Sequence, residues 1–515
     1  MLSLLFIAIS FIIASSVKVV ALNTYESLNI DAAQKQQFKD EIIKDSLLPV
    51  INISTRNNTE HILSRETYTE CVVDAFNVSP DLEMKENSAK IRIRGNSSAY
   101  YGDIEKILAN PVPYKIKFDE KTSFLGLHEG EKFNNWVLIK SNWDIIRIDI
   151  ALKMGRTLLR DEAFCTDSQL VNLYVNDVFQ GIYVLTEQYE VDEKRVNVSP
   201  VEKNYNGTDI GYFIEIDNCY EREPHFFNIT YEDATVTDIN GVSRKFIEAQ
   251  YTFKNDIYSQ EQVDFIGNYT ENLFKIIYYA TKKNDFKTFD ENYNLVNATF
   301  TSAEETIKAV VDIDSFVDMY ILYEIVHDYD VGEGSFFFAI DFSKNSKISK
   351  FQMTAPWDFD WTYKDGNDEY WAGSFQDTTF IEKYGDRSNP WFVIFITEPW
   401  FYELVCERWQ AVSNSIKNDV SEEYNYSLAM ESDYLKTSEW VMYSVQSLVD
   451  WINGRISWMD KTYVPGTFPL PSQNEEDEVE EYTELPDEST EALEIILNDD
   501  NLDNFDNDES SEKDN

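Results

Sequence analysis

A two-lobed α+β protein, β-rich in its first half and helix-rich in its second, is predicted for this 515-residue sequence by three features. Runs that alternate apolar and polar residues gather mostly in the first half, and long stretches with three-to-four-residue apolar spacing mostly in the second. Nearly all of the aromatic residues lie between an apolar leader and an acidic end, enough for one large domain or two tightly joined lobes.

The leader is the apolar run Leu2 to Ala14, followed by Ser15, Ser16 and Val19-Val20-Ala21. It is too short to cross a bilayer and predicts a signal peptide over 1–21, cleaved after Ala21. A lead-in, 22–46, precedes a domain expected over 47–465. Within that domain Lys90 to Arg94, Tyr114 to Phe118, Leu170 to Val175 and Gly181 to Thr186 predict strands. Asn176-Asp177 between two apolar runs signals a hairpin turn. Helices are predicted at Ile145 to Leu159, Val310 to Val326, Trp400 to Ile416 and Ser438 to Tyr463. Aromatic density from Tyr370 to Trp400 is expected to be core rather than a binding face. From 466 onward the composition predicts a disordered acidic tail, with nineteen acidic residues and one basic residue after Asn474. The Asp/Asn-rich stretch Asp499 to Asp508 lacks the glycine and terminal glutamate of a calcium loop.

A formal net charge of −49 excludes nucleic acid as a partner, because no basic face exists to displace counterions from phosphates. No later segment is long and apolar enough to span a membrane, so a secreted, soluble protein is expected. Glycosylation patterns occur at Asn52, Asn57, Asn77, Asn96, Asn197, Asn206, Asn228, Asn268, Asn297 and Asn425. Most are expected to carry glycan, Asn96 excepted. Cys71, Cys165, Cys219 and Cys406 allow three full pairings and match no zinc spacing.

Two acidic clusters suggest chemistry. Pro356-Trp357-Asp358-Phe359-Asp360-Trp361 follows an apolar approach; were that approach a strand, Asp358 and Asp360 would project to one side at its end, where hard oxygen ligands for magnesium are commonly presented. Upstream, His327 to Ser335 is a Gly-containing acidic loop between a helical and a strand-like pattern. A hairpin between the clusters would bring Asp330 to Asp358, one carboxylate near an acceptor hydroxyl and the other near a phosphate-bridging metal. Both clusters equally suit polar turns whose carboxylates accept backbone and indole hydrogen bonds.

An ordered set of motifs runs through the chain: Ile93-Arg94-Gly95-Asn96, Tyr114 to Phe118, Trp136 to Ile139, Arg147, Tyr174-Val175-Asn176 with Gln180 to Tyr183, Thr186-Glu187-Gln188, Asp330, Pro356 to Asp360, Glu398 to Phe401 with Arg408-Trp409, and Arg455 to Trp458. In that order the chain resembles the spore-coat protein H (CotH) kinase-like family. The resemblance implies a divergent two-lobed protein-kinase-like fold and, in active members, transfer of phosphate from ATP with Mg2+ or Mn2+ to Ser or Thr of extracellular, cell-surface or coat proteins. Carried over, it makes Asp330 the catalytic aspartate and Asp358 a metal ligand, with Asp360 and Ser335 beside it. Arg94, Lys115, Lys117 and Glu187 become nucleotide contacts, Glu187 as the acidic partner of a phosphate-contacting lysine.

The sequence departs from the family pattern twice. Family lysines just before the tyrosine matching Tyr114 are replaced by Pro111 and Val112, and the asparagine five residues after the catalytic aspartate is Ser335. The competing class is therefore a non-catalytic, pseudokinase-like surface, matrix-binding or adhesin protein, which the family also includes. Glycoside hydrolysis, which paired carboxylates invite, finds no support in the order of motifs.

Overall fold

The computed structural model describes residues 24–140, 145–159, 163–363 and 388–469. The chain divides into two compact units, Met1–Leu470 and Pro471–Asn515, and every element described lies in the first. The signal-peptide and acidic-tail expectations fall outside the described residues, apart from 466–469.

The β-rich first half closes into a barrel. Strands β1 (Val50–Thr55), β2 (Thr69–Phe76), β3 (Met84–Ile93), β4 (Tyr114–Thr122), β5 (Phe133–Ile139), β6 (Ser168–Val175) and β7 (Val178–Glu187) form a seven-stranded barrel in the order β1-β2-β3-β4-β5-β7-β6. Neighbours pair antiparallel except β1 with β6, which run parallel and complete the ring with Val50 opposite Asn172. Alternation sorts the side chains. Ile91, Ile93, Ile116, Phe118 and Trp136 fill the barrel, while Arg92, Lys115 and Lys117 project outward. The Asn176-Asp177 turn between β6 and β7 has both residues in the left-handed region (φ 52° and 65°), as a two-residue hairpin of this hand requires.

Helix α1 (Ala32–Ile42), capped by Asp31, ties the lead-in to the barrel. Phe38 packs edge-on to Phe76 and Tyr174, and Lys35 is buried in an ion pair with Asp177 at 2.6 Å. Leu47 and Leu48 amides both donate to Asp433 Oδ2, which ties the start of the expected 47–465 domain to its helical half. At the other end Phe468 packs on Tyr402 with ring centres 5.4 Å apart, beyond the expected domain end at 465.

Beyond the barrel lies a five-stranded sheet of β8 (Gly211–Ile216), β9 (Phe226–Ile229), β12 (Ala249–Phe253), β15 (Phe336–Asp341) and β16 (Gln352–Thr354), ordered β16-β15-β8-β12-β9. Two small hairpins, β10 (Thr235–Thr237) with β11 (Ser243–Lys245) and β13 (Lys287–Phe289) with β14 (Leu295–Asn297), flank it. Helices α2 (Arg147–Leu159), α3 (Gln260–Lys282), α4 (Ala303–Val310), α5 (Ile313–Val326), α6 (Pro390–Ile396), α7 (Pro399–Ala429) and α8 (Val441–Thr462) complete this half. Helix α5 is buried nearly all round, which its apolar composition dictates. One core runs from Ile150 and Leu158 of α2 through Phe338 and Phe392 to Ile452 of α8. Every residue of α6 is buried, in line with the core expectation for the aromatic-rich stretch; residues 370–387 of it lie outside the described residues.

All four cysteines are free thiols, so none of the three pairings is made. Two of the glycosylation-pattern asparagines have their side-chain amides engaged in the fold. Asn52 is buried on β1 with its amide donating to Asp177 Oδ1 at 2.8 Å, and the Asn77 amide donates to the carbonyls of Ser46 and Leu48. Among the described residues no helix is long and apolar enough to cross a membrane.

Candidate functional site

Helix α5 starts at Asp312, whose carboxylate caps it, and ends at His327, which turns left-handed (φ 49°) and breaks the helical path. The chain then runs through Asp328 to Ser335 before entering β15. Within this loop the Glu333 and Gly334 amides donate to the Asp330 carbonyl at 2.9 and 3.0 Å, and the Asp330 amide donates to Asp328 Oδ1 at 3.0 Å. The loop thus fixes Asp330 through its own backbone. Strand β15 pairs with β16, Phe337 opposite Thr354, so the hairpin anticipated from the sequence returns the chain beside the loop. Ala355 and Asp358 then take left-handed conformations (φ 49° and 67°), and Phe359–Trp361 form a single 3-10 turn. Ser335 Oγ donates to Asp358 Oδ2 at 3.0 Å and joins the two loops.

Asp330, Ser335, Asp358 and Asp360 line one side of a cleft of about 1170 Å³. Arg94, just past β3, and Lys115 of β4 line the barrel side. Gly95 follows in a left-handed conformation (φ 90°), and a Cβ there would collide with Ser98 Oγ. The Arg94 guanidinium sits 5.2 Å from the Trp357 ring centre, and Trp357 in turn packs edge-on to Tyr189 at 5.0 Å. The floor carries Glu215 of β8, ion-paired with Lys254. Burial pushes the Glu215 carboxyl up to about 7, against the opposing pull of Lys254. Asp328, buried behind the loop, is held well above the usual carboxylate range by burial and then by Asp330, with Asp358 and Asp360 adding to it. Negative charge is therefore concentrated at this end of the cleft.

The structure brings six of the eight sequence-predicted residues to this cleft and leaves two outside it. Lys117 is exposed to solvent on the barrel exterior, one pleat beyond Lys115. Glu187, the last residue of β7, is fully enclosed: it accepts from the Asp167 amide at 2.9 Å and Arg195 Nε at 3.2 Å, and meets His128 Nδ1 at 3.0 Å. That contact is the leading cause that raises the His128 pKa. The carboxylate beside Lys115 is instead Glu190, at 3.7 Å. Val112, at a position where the family carries lysine, is fully buried, and its carbonyl accepts from Tyr183 Oη at 3.0 Å.

Lys140 was not singled out from the sequence. It directly follows β5, and with Arg94, Asp358 and Asp360 it lines a narrow cavity of about 30 Å³. Its Nζ lies 5.6 Å from the Tyr183 ring centre, and burial lowers its pKa. Gly181 (φ 112°) makes room for it, since a Cβ there would stand 2.8 Å from Nζ. The available signal was its position at the end of the Trp136 to Ile139 strand motif, but only the closed barrel places that strand end at a cavity shared with Asp358.

Among the described residues no group of three or more His, Cys, Asp or Glu side chains is spaced to hold a metal ion alone. Magnesium in phosphotransfer sites is usually bound by one or two carboxylates together with water and phosphate oxygens. Asp358 and Asp360 fit that smaller donor set, and a dication there would offset the share of the Asp328 rise that these two carboxylates add to burial and Asp330.

No curated protein matches this sequence. A family model described as CotH kinase protein matches residues 91–484, from within β3 through both acidic loops and past the end of α8. With most of the chain covered in this way, and with the motif-bearing loops gathered on one cleft, the protein belongs to the CotH family.

Proposed function

We propose that this chain is a secreted, glycosylated CotH-like phosphotransferase that moves the terminal phosphoryl group of ATP, with Mg2+ or Mn2+, to Ser or Thr hydroxyls of extracellular or coat proteins. The observation that carries the reading is the single cleft in which Asp330, Asp358 and Asp360 face Arg94 and Lys115. On this reading the barrel and the sheet-and-helix body act as the two lobes of a protein-kinase-like fold, with nucleotide and acceptor meeting between them. Asp330 accepts the acceptor hydroxyl's proton as its oxygen bonds to phosphorus and the bond to the departing ADP oxygen breaks. Asp358 and Asp360, with Ser335 beside them, hold the dication. A dication held there would offset the charge that develops on the phosphate oxygens. Arg94, Lys115 and Lys140 face the phosphates, Lys140 standing in for the lysines absent at Pro111 and Val112.

A second reading, a non-catalytic surface or matrix-binding protein, is favoured by the Ser335 hydroxyl, which engages Asp358 where active family members place an asparagine. Purified protein separates the two. Asp358→Asn is expected to abolish magnesium-dependent ATP binding, because an amide brings no charge to offset the dication. Asp330→Asn is expected to keep nucleotide binding and to lose about 10²–10⁴-fold in turnover. Wild-type protein that binds no nucleotide with either metal, and gains none in Ser335→Asn, would sink the phosphotransferase reading.

A further inference from the structure

The cleft mouth carries a second cationic group that the phosphotransferase reading leaves unused. Arg65, Arg92 and Arg222 line it, in a chain with 93 acidic and 44 basic residues. With two acids available for every base, an arginine finds a carboxylate easily. Arg56, Arg156, Arg195, Arg244, Arg408 and Arg455 all have one within 4 Å. The arginine trio instead converges on neutral oxygens. Arg65 Nη2 and Arg222 Nη1 both donate to the single Oδ1 of Asn96, Arg222 at 2.6 Å, and Arg92 Nη1 donates to the Arg65 carbonyl. Aromatic rings orient two of them without neutralising them: Arg92 lies 5.4 Å from the Tyr68 ring centre and Arg222 lies 5.6 Å from that of Tyr101. Burial first, then the nearness of Arg222 and Arg92, lowers the Arg65 pKa against opposing pulls from Cys219 and Glu66.

A guanidinium carries five N–H donors in a planar fork, so two such groups sharing one amide oxygen keep donors for a further acceptor. An oxyanion fits that arrangement, since it removes the mutual repulsion and accepts paired N–H bonds. The position of the trio indicates whose oxyanion. Arg222 lies on the turn Tyr220–Arg222, two residues after Asp217-Asn218, and the Asn218 side chain is 3.6 Å from where a Cβ on Gly334 would stand. Gly334 is bonded to Asp330, so the turn that bears Arg222 flanks the loop that would receive the acceptor hydroxyl. Arg94, by contrast, packs on Trp357 beside Asp358.

We infer that Arg65, Arg92 and Arg222 form a subsite for one oxyanion side chain of the acceptor polypeptide, an Asp, Glu or phosphoserine next to the Ser or Thr presented to Asp330. This inference rests on the proposed function. A protein of net charge −49 repels a polyacidic chain, so the subsite suits a single oxyanion within an otherwise neutral or basic segment.

The test uses the secreted full-length protein and fluorescein-labelled peptides, each with one Ser in a Gly/Lys background and with phosphoserine, Asp or Asn placed in turn at each of the three positions on either side. Fluorescence anisotropy is expected to show phosphoserine and Asp peptides binding at least about tenfold tighter than the Asn peptide at one register, with the gap narrowing as salt rises. Arg222→Gln, at an exposed position, and separately Arg65→Gln, are expected to bring that ratio close to one while nucleotide affinity stays within about twofold. Equal affinity for all peptides in the wild type would overturn the inference. So would a loss of nucleotide affinity in Arg222→Gln as large as the loss of peptide affinity, which would make the trio a nucleotide-phosphate contact. Peptide binding is read without turnover, so an absence of phosphotransfer with the peptide preference intact would count against the proposed function and not against the subsite.

Discussion

Replacing Arg455 by Met is expected to lower the unfolding midpoint by about 4–6 °C. Arg455 of α8 is fully enclosed; its Nε donates to the Glu324 carbonyl at 2.7 Å and its Nη2 to Glu324 Oε1 at 2.6 Å. Its guanidinium also lies 4.2 Å from the Trp458 ring centre. Glu324 sits in the last turn of α5 and is equally enclosed, so removal of the arginine leaves a buried carboxylate without its cation. Breaking such a buried pair costs about 3–5 kcal/mol. With roughly 400 ordered residues and an unfolding entropy of about 2.1 cal/mol/K per residue, each degree corresponds to roughly 0.8 kcal/mol, which gives the stated shift. Scanning calorimetry of the single variants and of Arg455→Met/Glu324→Leu measures it. The double variant is expected to recover most of the loss, because no unpaired charge remains. A single-variant shift below about 1 °C, or a double variant as unstable as the sum of the singles, would refute the account of a buried pair.

Glu423 of α7 is buried beside Asp149, and its carboxyl is pushed up to about 8 by burial first and by Asp149 second. An unfolded glutamate titrates near 4.3. Below that pH both states hold the proton; as pH rises toward 8 only the unfolded state loses it, so this group's contribution to stability falls across that window at about 1.4 kcal/mol per unit. Glu423→Gln is therefore expected to gain in melting temperature over wild type at pH 8 and to gain much less at pH 5, and a difference independent of pH would contradict the assignment. Val112→Lys restores a family residue at a fully buried position, so differential scanning fluorimetry is expected to show a lowered midpoint with no gain in nucleotide affinity. Lys140→Met is expected instead to weaken nucleotide binding, and increased phosphotransfer in Val112→Lys would refute this placement of the phosphate-facing lysine.

Much of the candidate site was legible because its residues lie close together in sequence. Asp330 to Ser335 and Trp357 to Asp360 flank one hairpin, and a hairpin's partners are set by the alternation and turn chemistry of a short segment. Strand and helix patterns carried the same local information, and α2, α5, α7 and α8 each overlap a segment with helical spacing. The place of Glu187 away from the cleft was not legible, for the opposite reason. Its partners come from a turn at His128, from Asp167 and from Arg195, and no periodicity in β7 reports which of its buried neighbours will be cations.

The sequence by itself determined the α+β class, the β-rich and helix-rich halves, the family and the pairing of the two acidic loops, because period-two and period-3.6 burial and ordered local motifs need no distant contact to be expressed. Only the tertiary structure decided that the first strands close into a barrel through the parallel β1–β6 pair, since that pair joins segments more than a hundred residues apart. It also decided that Lys115 faces the cleft while Lys117 does not, that Lys140 shares a small cavity with Asp358, and that Arg65 and Arg222 meet at Asn96. The physical reason is common to all of these: which outward-facing side chain finds water and which finds a charged neighbour depends on chain closure over long loops, a global balance of entropy and packing that no local pattern encodes.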